Sequence, residues 1–170
     1  LVDSNILDLM NFAKSSSMLE RVIGIASINA LSQTIIREEN YKMNTTEFLK
    51  LIPLHESDSV VMVGYIRPFV DYLHTNAKKL IIIDDNPLLR GAREYEITTD
   101  ITRLTEADIA IVTASSLIVD NIDSILTLAR NARHISIVGP TGGWLPEPFF
   151  ERNVDVIAGS TVIDVEKTKR

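Results

Sequence analysis

Ser59-Val60-Val61-Met62-Val63-Gly64-Tyr65-Ile66-Arg67-Pro68-Phe69-Val70-Asp71-Tyr72-Leu73 is the stretch on which the fold turns. Its first part is a short run of Val and Met that stops at a glycine. Runs of this kind suit strands buried on both faces. Its second part repeats apolar residues at helical spacing: Ile66, Phe69, Val70, Leu73 and, further on, Ala77. Pro68 suits a first helical position. A buried strand followed by an amphipathic helix opens a crossover, and crossovers between parallel strands are right-handed.

Working outward, the alternation continues. Leu80-Ile81-Ile82-Ile83, Ile109-Ala110-Ile111-Val112, Ile135-Ser136-Ile137-Val138 and Val154-Asp155-Val156-Ile157-Ala158 are further strand-like runs. One intervening helix carries Ile122, Ile125, Leu126 and Ala129, with Asp120 and Asp123 at its start and Arg130 and Arg133 at its end. Both ends complement the helix dipole. The fold expected is α/β: a Rossmann-like three-layer domain with a mostly parallel sheet of about five strands, preceded by packed helices. Residues 1–170 read as a single domain, with a helical segment over 1–40 and the alternating unit over 59–165.

In the helical segment, Asp3 and Ser4 can cap a helix bearing Ile6, Leu7, Leu9 and Met10, and Ser15-Ser16-Ser17 breaks it. A second helix is expected from about Met18 to Arg37. Leu19, Val22, Ile23, Ala26 and Ala30 fall on one side of it; Ile28, Leu31 and Ile35 fall on the other. A helix apolar on both sides is usually buried on both sides. Gly24, Ala26, Ser27 and Ala30 would let a partner approach closely, so a homo-oligomer or a separate partner chain is expected there. A buried helix within one domain is the alternative.

Composition bounds the chemistry. The chain has 170 residues, 45% hydrophobic and 24% charged, with no cysteine and a formal charge of −6. That composition is globular, and it excludes disulfides and thiolate chemistry. An acidic balance argues against nucleic-acid binding. No apolar run reaches the ~18 residues of a membrane helix, and no leader-like segment opens the chain. A cytoplasmic protein without membrane contact is expected.

Ligands of open parallel sheets bind beyond the carboxyl ends of the strands, near the switch in strand order. Those ends carry Gly64, Asp84-Asp85-Asn86-Pro87, Thr113-Ala114-Ser115-Ser116 and Gly139-Pro140-Thr141-Gly142-Gly143. The first turn has Gly64 alone before Tyr65, Ile66 and Arg67, so the Gly-rich dinucleotide fingerprint is absent. No phosphate loop of Walker type and no nucleophile elbow occur either. The loop at Gly139 could hold an anion on its backbone N–H groups, or could merely shape a turn. His55, His74 and His134 share no motif and read as surface or capping residues. A metal site would rest on oxygen ligands such as Asp84, Asp85 and Glu94, which favour hard cations; clustered acids after a strand are more often a turn.

Taken in order, several segments resemble a known family. They are Glu20-Arg21-Val22-Ile23-Gly24-Ile25-Ala26-Ser27-Ile28-Asn29-Ala30, Val63-Gly64-Tyr65, Asp85-Asn86-Pro87-Leu88-Leu89-Arg90-Gly91, Ala107-Asp108 through Thr113, and Val138-Gly139-Pro140-Thr141 continuing to Gly159. Their order and spacing resemble the putative heavy-metal chelation family, over about Leu19 to Asp164. The resemblance implies a Rossmann-like domain that usually follows a small enolase-N-terminal-like subdomain, with a site between the two. Too few residues precede Leu19 here for that subdomain. After Gly139-Pro140 the family favours Ser-Thr-Pro, where this chain has Thr141-Gly142-Gly143.

The function expected is binding of a small polar or anionic molecule, with a link to metal chelation or chelator metabolism. The ligand-binding candidates are Asn29, Gly64, Asp85, Asn86, Thr113, Ser115, Gly139 and Thr141. No catalytic residue, cofactor or metal ligand is assigned. One alternative is an enzyme acting on a nucleotide-like or amino-acid-derived metabolite, with Asp85 as base and the Gly139 loop as anion holder. Another is a non-catalytic interaction subunit.

Overall fold

The computed structural model describes residues 3–89, 91 and 93–161. Arg90 and the end of the expected alternating unit, 162–165, lie outside these.

The apolar runs form the middle of a parallel sheet. Strands β1 (Ser59–Val63), β2 (Lys79–Ile83), β4 (Ile109–Thr113) and β5 (His134–Val138) are flanked by the shorter β3 (Glu96–Thr98) and β6 (Val156–Ala158). The order across the six-stranded sheet is β3-β2-β1-β4-β5-β6, and every pairing is parallel. The strand missed in the sequence is β3. Its three residues form an edge and none is fully buried, so it carries no apolar run.

Alternation along the strands builds two cores. Val61, Val63, Ile81, Ile83, Ala110, Val112, Ile135 and Ile137 face one way, onto Leu104, Ile125, Leu126 and Trp144. Val60, Met62, Leu80, Ile82, Ile109 and Ile111 face the other, onto Val70, Leu73 and Ile52. Period-2 burial on both faces explains why these strands read as unbroken apolar runs.

Helix α3 (Arg67–Asn76) covers the second face, with Pro68 in its first turn. Helix α4 (Ile122–Leu128) covers the first, through Ile122, Ile125 and Leu126. The crossovers leaving β1 and β4 therefore run to opposite faces, and β1 and β4 are neighbours. Their boundary is the switch point of a doubly wound sheet.

Helix α1 (Ile6–Met10) is capped by Asn5, whose side chain accepts the Leu7 N–H at 2.9 Å, rather than by Asp3 or Ser4. Helix α2 (Met18–Glu38) runs one residue beyond the expected Arg37. Its apolar sides have different fates. Ile25 and Ile36 are buried, and Ile28 packs on the core; Leu19 and Val22 remain 76% and 42% exposed. The Gly24 side is covered from within. A Cβ on Gly24 would lie 2.0 Å from the Ala13 nitrogen, so the turn Asn11–Lys14 rests directly on the helix backbone there. Among the described residues no helix is long and apolar enough to cross a membrane.

Candidate functional site

At the switch point Gly64 follows β1 with φ +84°, and a Cβ there would meet the Thr113 methyl at 3.0 Å. Glycine is required twice over, by backbone conformation and by room. The two strand ends therefore touch, and the chain on either side of them diverges. Thr113 ends β4; its Oγ1 lies 2.8 Å from Ser115 Oγ and accepts the Ser115 N–H, capping the turn Ala114–Leu117. Ser115 is exposed, whereas Ser116 is 1% exposed.

Asp84 and Asp85 divide the labour at the end of β2. The Asp84 carboxylate accepts the Tyr65 N–H and the Asn86 N–H, each at 2.8 Å. It holds the loop after β1 against the loop after β2. Asn86 accepts the Leu88 N–H at 3.0 Å, which is ordinary turn chemistry. Asp85 is exposed. Glu94, one of the acids a hard-cation site would have to use, lies 3.2 Å from His74. Among the described residues no group of three or more His, Cys, Asp and Glu could hold a metal ion. The donor set does not fit a soft heavy metal.

Helix α2 lies across the loops at the ends of β4, β5 and β6. Arg21 Nε donates to Ile118 O at 2.7 Å. Asn29 Nδ2 donates to Thr141 O at 2.8 Å, and Gln33 Nε2 to Gly143 O at 2.7 Å. Thr161 Oγ1 in turn donates to Gln33 Oε1 at 2.8 Å. Buried Asn29 Oδ1 has no hydrogen-bond partner among the described residues. Gly139 donates its N–H to Ala158 O at 2.9 Å and lies close to Ala114. Sequence reasoning missed Asp84, Arg21 and Gln33 in these roles. Arg21 and Gln33 occupy one helix with Asn29 at spacings of eight and four, a signal that could have grouped them.

The candidates thus form a chain of neighbours. Gly64 meets Thr113; Thr113 pairs with Ser115; Gly139 lies by Ala114; Thr141 is held by Asn29. Asp85 and Asn86 stand one loop away, beyond Asp84.

One further row resembles catalytic chemistry. Ser136 Oγ lies 2.8 Å from His134 Nε2, and His134 Nδ1 lies 3.6 Å from Asp155 Oδ2. Ser136 is 0% exposed and Asp155 Oδ2 already accepts the Ile135 N–H, so the row has no access to a substrate. His134 is buried, not the surface or capping residue expected. Burial pushes its pKa below the ordinary histidine value, against the pull of Asp155.

A family model described as putative heavy-metal chelation (DUF364) matches residues 47–170. The chain is 30% identical over 175 residues to an uncharacterized protein of Methanocaldococcus jannaschii, covering 98% of this chain and 64% of that protein. Two solved structures of proteins with unknown function from the same family share the fold. The one from Pyrococcus horikoshii has a TM-score of 0.85 at 29% identity, covering 98% of this chain and 67% of that one. The one from Desulfitobacterium hafniense has a TM-score of 0.77 at 22% identity, covering 97% and 65%. The chain spans about two thirds of the length of these relatives.

Proposed function

The chain belongs to the putative heavy-metal chelation family, and on that premise we propose that it binds a small polar or anionic molecule at the carboxyl ends of its strands. The observation that carries this reading is the switch point itself. Gly64 and Thr113 bring β1 and β4 together where ligands of doubly wound sheets sit. Around it stand the Thr113 and Ser115 hydroxyls and the Gly139 loop, with the exposed Asp85 carboxylate one loop away. Hydroxyls and backbone N–H groups suit an oxyanion. A metal chelator or its precursor, rich in carboxylate groups, belongs to that class.

The reading assigns no metal ligand to this chain's own side chains. Turnover of a metabolite, with Asp85 as base, is the enzymatic form of the same reading. A cytoplasmic setting belongs to it too. So does assembly with a second copy or a partner chain through the exposed stripe of Leu19, Val22, Ala26 and Ala30.

The test is calorimetry against a panel of small carboxylates, phosphates and amino-acid-derived chelators, with Ser115→Ala and Asp85→Ala beside the parent. Losing a hydrogen bond to a charged group is worth roughly 1.5–3 kcal/mol, tenfold or more in affinity. Both variants should bind at least tenfold more weakly if the ligand lies here. Parent-like binding by both would move the site elsewhere.

A further inference from the structure

A second hollow lies away from the switch point. It is a cavity of about 700 Å³ between the last turns of α2, the segment 41–51, Gly142–Trp144 and the free edge of β6. That volume is in the range of small-molecule sites, roughly 300–1,000 Å³. Four of its lining residues are aromatic: Tyr41, Phe48, Trp144 and Phe150.

The charge of the lining is negative. Glu147 accepts the Tyr41 hydroxyl at 2.6 Å, and Asp155 Oδ2 accepts the Ile135 N–H at 2.8 Å. An accepted hydrogen bond favours the charged form of a carboxylate, and the Tyr41 bond holds the Glu147 carboxyl below its usual range. His134 Nδ1 lies 3.6 Å from Asp155, but burial pushes its pKa below the ordinary value, so the ring is mainly neutral at pH 7 and leaves that charge standing. Among the described lining residues two carboxylates thus face one ammonium, that of exposed Lys42. The negative charge also stands among the rings. Glu147 and Phe150 are three residues apart on the short helix α5 (Glu147–Phe150), which makes them neighbours, and Tyr41 is bonded to Glu147. Aromatic faces attract cations, and a carboxylate beside them adds to that attraction.

We propose that this cavity is a binding site for an organic cation, an amine carried on an apolar body. The ammonium lies at the Glu147 corner between Tyr41 and Phe150, and the apolar body lies against Ile36, Phe48 and Leu51. The inference does not depend on the strand-end site.

Trp144 is the only tryptophan of the chain and lines the cavity, so its emission reports on the contents. The probes are 2-phenylethylamine, protonated at neutral pH, its neutral counterpart 2-phenylethanol and the anion 3-phenylpropanoate. They are titrated into the parent, Glu147→Gln, Lys42→Met and Asp85→Ala. Glu147 and Lys42 are exposed, and Gln keeps an acceptor for the Tyr41 hydroxyl, so both variants keep the fold. The amine should give a saturable change in Trp144 emission in the parent and in Asp85→Ala alike, and should bind more tightly than the alcohol, with the carboxylate weakest. The ratio of amine to alcohol affinity should fall about three- to fivefold in Glu147→Gln, the range of a partly shielded ion pair, and should rise in Lys42→Met. No saturable response to the amine, a carboxylate that binds more tightly than the alcohol, a ratio unchanged within about twofold in Glu147→Gln, or a fall of that ratio in Lys42→Met would overturn the proposal. Loss of the response in Asp85→Ala would overturn it equally, by placing the probe at the strand ends.

Discussion

Asp84 and Asp85 are chemically identical neighbours with opposite duties. Asp84 spends both oxygens on backbone N–H groups, from Tyr65 and Asn86. Removing an acceptor from such groups costs about 1–3 kcal/mol. Asp84→Ala should therefore lower stability by that amount in denaturant titration, and Asp85→Ala should stay within about 0.5 kcal/mol of the parent. Equal losses would show that Asp85 is structural too. His134 supplies a pH dependence. Its folded pKa lies below the ordinary value, so the unfolded chain takes up the proton more readily. The stabilisation is present above about pH 6.5 and is lost as pH falls toward and through the folded pKa. Unfolding midpoints measured down that limb should drop faster in the parent than in His134→Gln; parallel limbs would contradict the assignment. The sequence placed hydroxyls and acids at strand ends correctly. It could not say which acid was spent, because that depends on loops brought together by strands far apart in the chain.

The central strands were legible because burial on both faces forces unbroken Val and Ile. The edge strand β3 was not, because an edge of Glu96, Ile97 and Thr98 needs no such run. Helix α2 was legible in extent but not in partners. Its lack of a single apolar stripe follows from its neighbours: the Asn11–Lys14 turn on one side, strand-end loops on another, solvent along Leu19 and Val22. Gly24→Ala tests the first contact. The added methyl would meet the Ala13 backbone at 2.0 Å, and backbone cannot swing aside as a flexible side chain does. The loss expected is about 1–3 kcal/mol, the usual cost of overpacking. Hydrogen exchange should show it as lost protection in α1 and the first turns of α2. A variant as protected as the parent would show that the turn can shift freely.

At the scale of the molecule, we propose that the two sheet faces and the lateral ties of α2 make the described residues one folding unit. Far-ultraviolet circular dichroism and Trp144 fluorescence should then report coincident unfolding transitions. Separated midpoints would divide the helical segment from the sheet. The exposed stripe on α2 belongs to this scale as well. Light scattering should give a mass above one chain for the parent, and Leu19→Glu with Val22→Glu should return it to one. A parent that is monomeric throughout would remove assembly from the account.

The central claim is that ligand binding belongs to the switch point between β1 and β4. Amide chemical-shift mapping on isotope-labelled chain, with the panel of small carboxylates, phosphates and chelators, tests it most directly. The account expects the largest shifts at Gly64, Thr113, Ser115 and Gly139, saturating together. Shifts confined to residues distant from those strand ends, with these four amides unmoved at saturation, would contradict it.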